Sequence, residues 1–352
     1  MNHRSNTLLD RLGIDLPIIQ APMAGVSTPQ LAIEVANTGG LGSLACAMLT
    51  VDEIKEAWES MRKATSKPLN LNFFSHKQNP ESIEEQERWK NKLAPYYKEL
   101  GLDINQVKAS TIRTPFDNKF CDLVEDLKPE VISFHFGLPE KELLQRVKNT
   151  GAIIMSSATT LDEAKWLEAN GCNVIIAQGV EAGGHRGMFL TRDISTQIPS
   201  MELLQQIVQT VSVPVVAAGG IADSAGIKAA LDHGASAVQL GTVYLFCPEV
   251  KVSSVYRKAL LATTSSDTVI TNVFSGRPAR SIINRFIKEV GPISSEAPEF
   301  PYASHYVSPL RTESEKNNSI DFMALWAGQS VYKSHSLGAA NLTRELAKFD
   351  MH

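Results

Sequence analysis

From residue 17 to about residue 250 the chain alternates short apolar runs with longer amphipathic stretches. The apolar runs cover 17–23, 40–45, 69–74, 131–136, 152–156, 173–177, 214–218 and 237–245, and most are continuous rather than alternating. Continuous runs of this length predict parallel strands covered on both faces. Helix signals fall between them. Thr50-Val-Asp-Glu53 and Thr160-Leu-Asp-Glu163 read as capping boxes, and Pro29 and Pro139 as prolines of a first helical turn. Phe120, Leu123, Val124 and Leu127 keep the spacing of a buried helical stripe, as do Leu203, Leu204, Ile207, Val208 and Val211.

Two segments break the rhythm. Residues 76–116 are charged and predict an extra helix over 81–100, while 251–352 show no clear strand–helix alternation. The pattern predicts an α/β chain: a (β/α)8 TIM barrel over 1–75 and 117–250, with an insertion after strand 3 and a C-terminal helical extension. The insertion (76–116) and the extension (251–352) would form a smaller, substrate-side domain over the barrel mouth. An open doubly wound sheet is the alternative; eight strands in order, with phosphate-type loops after the seventh and eighth, favour closure.

Composition narrows the setting. The 43% hydrophobic content suffices for a large core, and a net charge of −4 without a basic run argues against nucleic acid as a partner. The polar start Met-Asn-His-Arg-Ser-Asn-Thr and the lack of any bilayer-length apolar run point to a cytoplasmic protein without membrane contact. Cys46, Cys121, Cys172 and Cys247 lie far apart, as buried free thiols do. His3, His76, His233, His305, His335 and His352 show no metal-ligand spacing, and no metal is expected.

The active site of such a barrel is built from the loops after the strands. Here these are Gln20-Ala-Pro-Met-Ala-Gly25, Asn70-Leu-Asn72, Phe134-His135-Phe136-Gly137, Gln178-Gly179, Gly219-Gly220-Ile221 and Gln239-Leu240-Gly241-Thr242. Glycines at 219–220 and 241 let backbone amides close on phosphate oxygens, with a helix starting at Asp223 beyond; tight turns would use the same residues. Glu181-Ala-Gly-Gly-His185-Arg-Gly187 sets a histidine among glycines at the mouth, where it can act as a base or hydrogen-bond donor. Arg186 could hold an anion or brace this loop through Glu181, and bracing is the favoured reading. His135 suits either packing or a substrate contact. Asn70 and Asn72 share one face of their strand, so one or both would reach the barrel interior, either to read a ligand's ring edge or as buried structural amides.

These stretches, together with Ala217-Ala-Gly-Gly-Ile221, Asp267-Thr-Val-Ile-Thr271, Phe274-Ser-Gly-x-x-Ala-Arg280 and Trp326-x-Gly-Gln329, resemble the bacterial class I branch of the nitronate monooxygenases, formerly 2-nitropropane dioxygenases. The likeness runs from about Leu12 to Ser330. It implies an FMN enzyme that oxidises alkyl nitronates, such as propionate 3-nitronate, with O2 to a carbonyl compound and nitrite. It implies FMN contacts at Met23, Asn72, Gln178, Gly183, Gly220, Gln239, Leu240, Gly241 and Thr242, with His185 as the catalytic histidine. His185 would take a proton from a neutral nitroalkane or hydrogen-bond a nitronate already formed. Tyr302 and Tyr306 would flank the substrate opening, with His135 as a further substrate contact. The physiological substrate stays open, as does the choice between monomer and homodimer. A flavin-dependent enoyl-acyl-carrier-protein reductase shares a similar Glu-x-Gly-Gly-His loop; Gln178, Arg186 and the Trp326 tail stand against it. A flavin-free phosphosugar isomerase or aldolase would need lysine or paired carboxylates at the strand ends. A non-catalytic flavin-binding protein is a third alternative.

Overall fold

A computed structural model describes residues 3–107, 113–331 and 336–350. Eight strands form its central sheet: β1 (Ile18–Gln20), β2 (Gly42–Ala45), β3 (Leu69–Phe74), β4 (Val131–His135), β5 (Ile153–Ala158), β6 (Val174–Gln178), β7 (Val215–Ala218) and β8 (Ala237–Leu240). All pair in parallel, each with its neighbour in the chain, and β8 returns to β1. A parallel bridge between Ile19 and Leu41 joins the first strand to the start of the second. The sheet is therefore a closed barrel with helices around it.

Side chains alternate along each strand, so every second residue enters the barrel. At the N-terminal end these are apolar. Ile19, Val131, Met155, Val174, Val216 and Ala237 form one core cluster, closed from below by Leu8 and Leu12 of the helix His3–Leu12. Towards the C-terminal ends the same inward positions become Asn72, Ser133, His135, Ser157, Gln178 and Gln239, which line a cavity. The outward residues, Leu44, Leu71, Phe73, Ile132, Phe134 and Ile175 among them, pack against the helices in the largest cluster.

Several boundaries differ from the sequence reading. The last barrel strand ends at Leu240, not at 245, because Thr242–Phe246 turns into a 3-10 segment whose apolar side chains stay buried; burial there has no strand behind it. Thr50 and Glu53 form the full capping box. At the second site Thr160 caps the Glu163 amide, but the Glu163 carboxylate binds the Thr159 amide and hydroxyl and the Phe189 and Leu190 amides instead. Pro139 lies before the helix Lys141–Asn149, whose N-cap is Glu140, rather than in its first turn.

The C-terminal extension is not wholly helical. Thr268–Thr271 and Ala279–Ile282 pair antiparallel, and Gly184–His185 adds a third short strand. Its closing helix, Ala339–Leu346, does not cover the mouth but packs against the barrel helix Pro29–Asn37, with Ala339, Leu342 and Leu346 in the barrel cluster. The inserted helix Ile83–Glu99 packs on Ser304–Lys316, joined by hydrogen bonds from Trp89 Nε1 to the Ala303 carbonyl (3.1 Å) and from the Tyr97 hydroxyl to the Tyr306 carbonyl (2.6 Å). All four cysteines are free and buried, and burial raises their thiol pKa values. Among the described residues no helix is long and apolar enough to cross a membrane, and no cluster of potential metal ligands occurs; His335 and His352 lie outside those residues.

Trp89 is fully buried between insertion and extension. Trp89→Ala is expected to cost about 3–5 kcal/mol, as other large core truncations do. Urea unfolding followed by fluorescence would read this as a lower midpoint.

Candidate active site

The cavity at the C-terminal end of the barrel encloses about 1420 Å3, its open mouth included. The ends of β1, β3, β4, β6, β7 and β8 all contribute to its wall, as does Trp326 from the extension.

The loop 179–187 is held from three sides. Gln178 donates to the His185 carbonyl (2.9 Å) and accepts from the Gly187 amide (2.7 Å). Arg186, fully buried, donates to Gln197 Oε1 (2.8 Å) and to the Gln178 carbonyl (2.7 Å). Arg186 thus braces the loop through those two residues, not through Glu181, whose carboxylate accepts from the Ser200 amide. His135 completes the frame. Its Nε2 lies 3.1 Å from the His185 carbonyl and must donate there, so its Nδ1 accepts from the Ser157 hydroxyl (3.1 Å). Both ring nitrogens of His135 are thereby engaged with protein groups. Gly183 is required by close approach, since a Cβ would fall 2.5 Å from the Gly328 amide nitrogen.

His185 reaches the cavity from this loop, with Nε2 2.8 Å from the Ser275 hydroxyl and its ring against Trp326 and Phe300 (centroids 5.3 and 5.6 Å). Burial pulls its pKa well below the usual histidine value, helped by Arg113, His135, Arg277 and His76. The imidazole is therefore neutral at physiological pH. Burial likewise lowers His135 and His76 to about 4. Phe136 holds a left-handed backbone (φ 73°), uncommon for a bulky residue and a form of strain found near functional sites. Its ring packs with Phe74 and Phe300 beside His185, under the Arg277 guanidinium at 4.1 Å.

The adjoining wall has the marks of a ligand cradle. Gly219-Gly220 and Gly241-Thr242 line it, and Gly220 has φ 72°, which side-chain-bearing residues rarely adopt. Gln239 lines it too, and its Oε1 is buried without a hydrogen-bond partner. A buried acceptor left open is costly unless a ligand supplies the donor. The helix beyond, Ser224–Asp232, is capped by the Asp223 carboxylate, which accepts from the Gly226 amide (2.8 Å).

Of the residues singled out by sequence, Met23, Asn72, His135, Gln178, Gly183, His185, Gly220, Gln239, Gly241 and Thr242 line this one cavity. Asn72 lines it and Asn70 does not; Asn70 donates to Ser43 and Ser133 below. The Leu240 side chain points into the helix layer. Tyr302 and Tyr306 are not in the cavity wall. Tyr302 is buried and donates to the Asn79 carbonyl (2.8 Å), and Tyr306 packs in the cluster between insertion and extension. Sequence reasoning missed Ser275, Arg113 and Arg277: the first and last sit inside a motif quoted only as a likeness, and Arg113 has no local signal. No lysine is found among the described lining residues, and Glu181 is the one carboxylate there, so the machinery of an isomerase or aldolase is missing from the described wall.

Comparisons with known proteins agree with the geometry. The family profile described as nitronate monooxygenase matches residues 5–348. A nitronate monooxygenase of Paraburkholderia phytofirmans is 40% identical, covering 97% of this chain and 94% of its own; that of Pseudomonas aeruginosa is 38% identical, covering 96% and 97%. The solved structure of nitroalkane oxidase from Streptomyces ansochromogenes superposes with a TM-score of 0.86 at 37% identity, covering 97% and 96%. FabK from Thermotoga maritima shares the fold, with a TM-score of 0.76 at 23% identity over 98% of this chain and 96% of its own. The chain belongs to the nitronate monooxygenase family, flavin-dependent oxidoreductases that oxidise nitronates.

Proposed function

We propose that the protein oxidises alkyl nitronates with O2 to a carbonyl compound and nitrite, using FMN held in the barrel-mouth cavity. The observation that carries this reading is the pairing, in one cavity, of an open buried acceptor at Gln239 with a neutral histidine at His185. Gly220, Gly241 and Thr242 would hold the phosphate through backbone amides and a hydroxyl. Met23, Asn72, Gln178, Gly183, Gln239 and the Leu240 backbone would surround the rest of the group. When bound, FMN supplies the redox and oxygen chemistry.

The protein's own part is binding, orientation and charge. His185 offers a neutral imidazole, tied at Nε2 to Ser275. Its lowered pKa makes it a weak acceptor for a proton on carbon and a suitable hydrogen-bond partner for a preformed anion. The hydrogen-bonding role is therefore the one we assign. His135, with both nitrogens engaged, positions the His185 backbone rather than contacting substrate. Phe74 and Trp326 give the substrate side an apolar wall, with the strained Phe136 packed behind Phe74.

Three outcomes test these roles. His185→Asn is expected to keep its flavin and lose about 10²-fold in kcat/KM on ethyl nitronate, the scale for one transition-state hydrogen bond; an unchanged rate in an oxygen electrode would remove His185 from the reaction. Gly220→Val is expected to weaken FMN retention, read as flavin released on dilution; undiminished retention would refute the phosphate placement. With a group whose folded pKa is lowered, the neutral form persists as pH falls through 6.5, so kcat/KM on a preformed nitronate should show no acidic limb near 6.5. A limb there would mean that His185 titrates normally.

A further inference from the structure

Packed, like His185, against Phe300 is an arginine that the roles above leave unused. Arg113 lines the cavity, with its guanidinium 5.7 Å from the centre of the Phe300 ring; the His185 ring lies 5.6 Å from that same ring. Arg113 Nη1 is buried and has no hydrogen-bond partner. Among the described residues no carboxylate forms an ion pair with it, and the charged group that acts on it is another cation, Arg311. Burial and Arg311 lower its pKa to about 10, so it stays cationic at neutral pH.

The neighbouring groups give it no counter-charge. His76 and His135 are neutral there. Arg277 is a second cation, but it is engaged: Nη1 donates to the Met188 carbonyl (3.2 Å) and the guanidinium lies over Phe136. A cation with a buried, unpartnered nitrogen and no anion beside it is unfavourable unless a ligand brings the negative charge. We infer that Arg113 is a specificity-determining residue that receives a planar two-oxygen anion of the substrate. Two groups carry that shape, the nitronate itself and a carboxylate on the substrate's tail. Both match the flat guanidinium fork, which a single amide or ammonium cannot reproduce. The inference rests on the nitronate-oxidising reading.

The test compares flavin-loaded wild type, Arg113→Gln and Arg113→Lys on ethyl nitronate and on propionate 3-nitronate. Arg113→Gln is expected to raise KM by about 10- to 100-fold, the scale of one buried charged hydrogen bond, with kcat and flavin content little changed and Arg113→Lys in between. A rise for both substrates identifies the nitronate group as the partner; a rise confined to propionate 3-nitronate identifies the tail carboxylate. A binding measurement independent of turnover accompanies it: propionate should raise the Tm of the wild type and not that of Arg113→Gln. If Arg113→Gln fails to fold, the same two measurements on Arg113→Lys decide. Unaltered KM for both substrates, with the propionate effect retained, would overturn the role, as would a loss of kcat and flavin at constant KM. Absence of nitronate turnover by the wild type would sink the underlying reading, while the propionate result would still judge Arg113.

Discussion

Closing eight strands into a barrel forces the inward side chains of their C-terminal ends into one small volume, and in this protein those side chains are polar. Asn72, Ser133, His135, Ser157, Gln178 and Gln239 occupy inward positions where lower turns carry Ile19, Val131, Met155 and Val216. Polar groups in such a place must find partners or lose stability. Most find them within the protein: Asn70 and Asn72 with Ser133, His135 with Ser157 and the His185 carbonyl, Gln178 with the loop it precedes. Gln239 Oε1 does not. Within the cavity wall, that open acceptor marks a place for a ligand.

The same bonds decide how the reactive histidine is presented. His185 sits on a loop, which by itself would be mobile. Here it is made part of a three-stranded antiparallel sheet with Ala279 opposite, and its carbonyl accepts from both Gln178 and His135. Its imidazole then has little freedom, and Ser275 from the next turn of the extension takes one nitrogen. The aromatic cluster and nearby cations keep the ring neutral. Two arginines beside His185, Arg113 and Arg277, suit this side of the cavity to an anionic substrate, in keeping with the family's chemistry.

Much of this was legible beforehand. The eight strands were visible because a parallel strand buried on both faces is a continuous apolar run, and six of the eight end within two residues of where that pattern stops, the first stopping three residues short of it. The eighth shows the limit of such reading: Val243, Tyr244, Leu245 and Phe246 are as buried as strand residues but belong to a 3-10 turn. The strands at 268–271 and 279–282 escaped notice because they are four residues long and one partner is the two-residue strand Gly184–His185. Nothing local announces a pairing across almost a hundred residues.

Hydrophobic periodicity, turn chemistry and glycine placement were enough, in the linear chain, to specify a barrel, the face that carries its loops and the loop that carries His185. These are short-range properties, set by neighbours along the chain. The state of His185, the idle valence of Gln239, the uncompensated charge of Arg113 and the displacement of Tyr302 and Tyr306 from the cavity are of another kind. They depend on which groups meet after folding and on how much water is left between them, and desolvation and long-range contact have no signature in a stretch of sequence read alone.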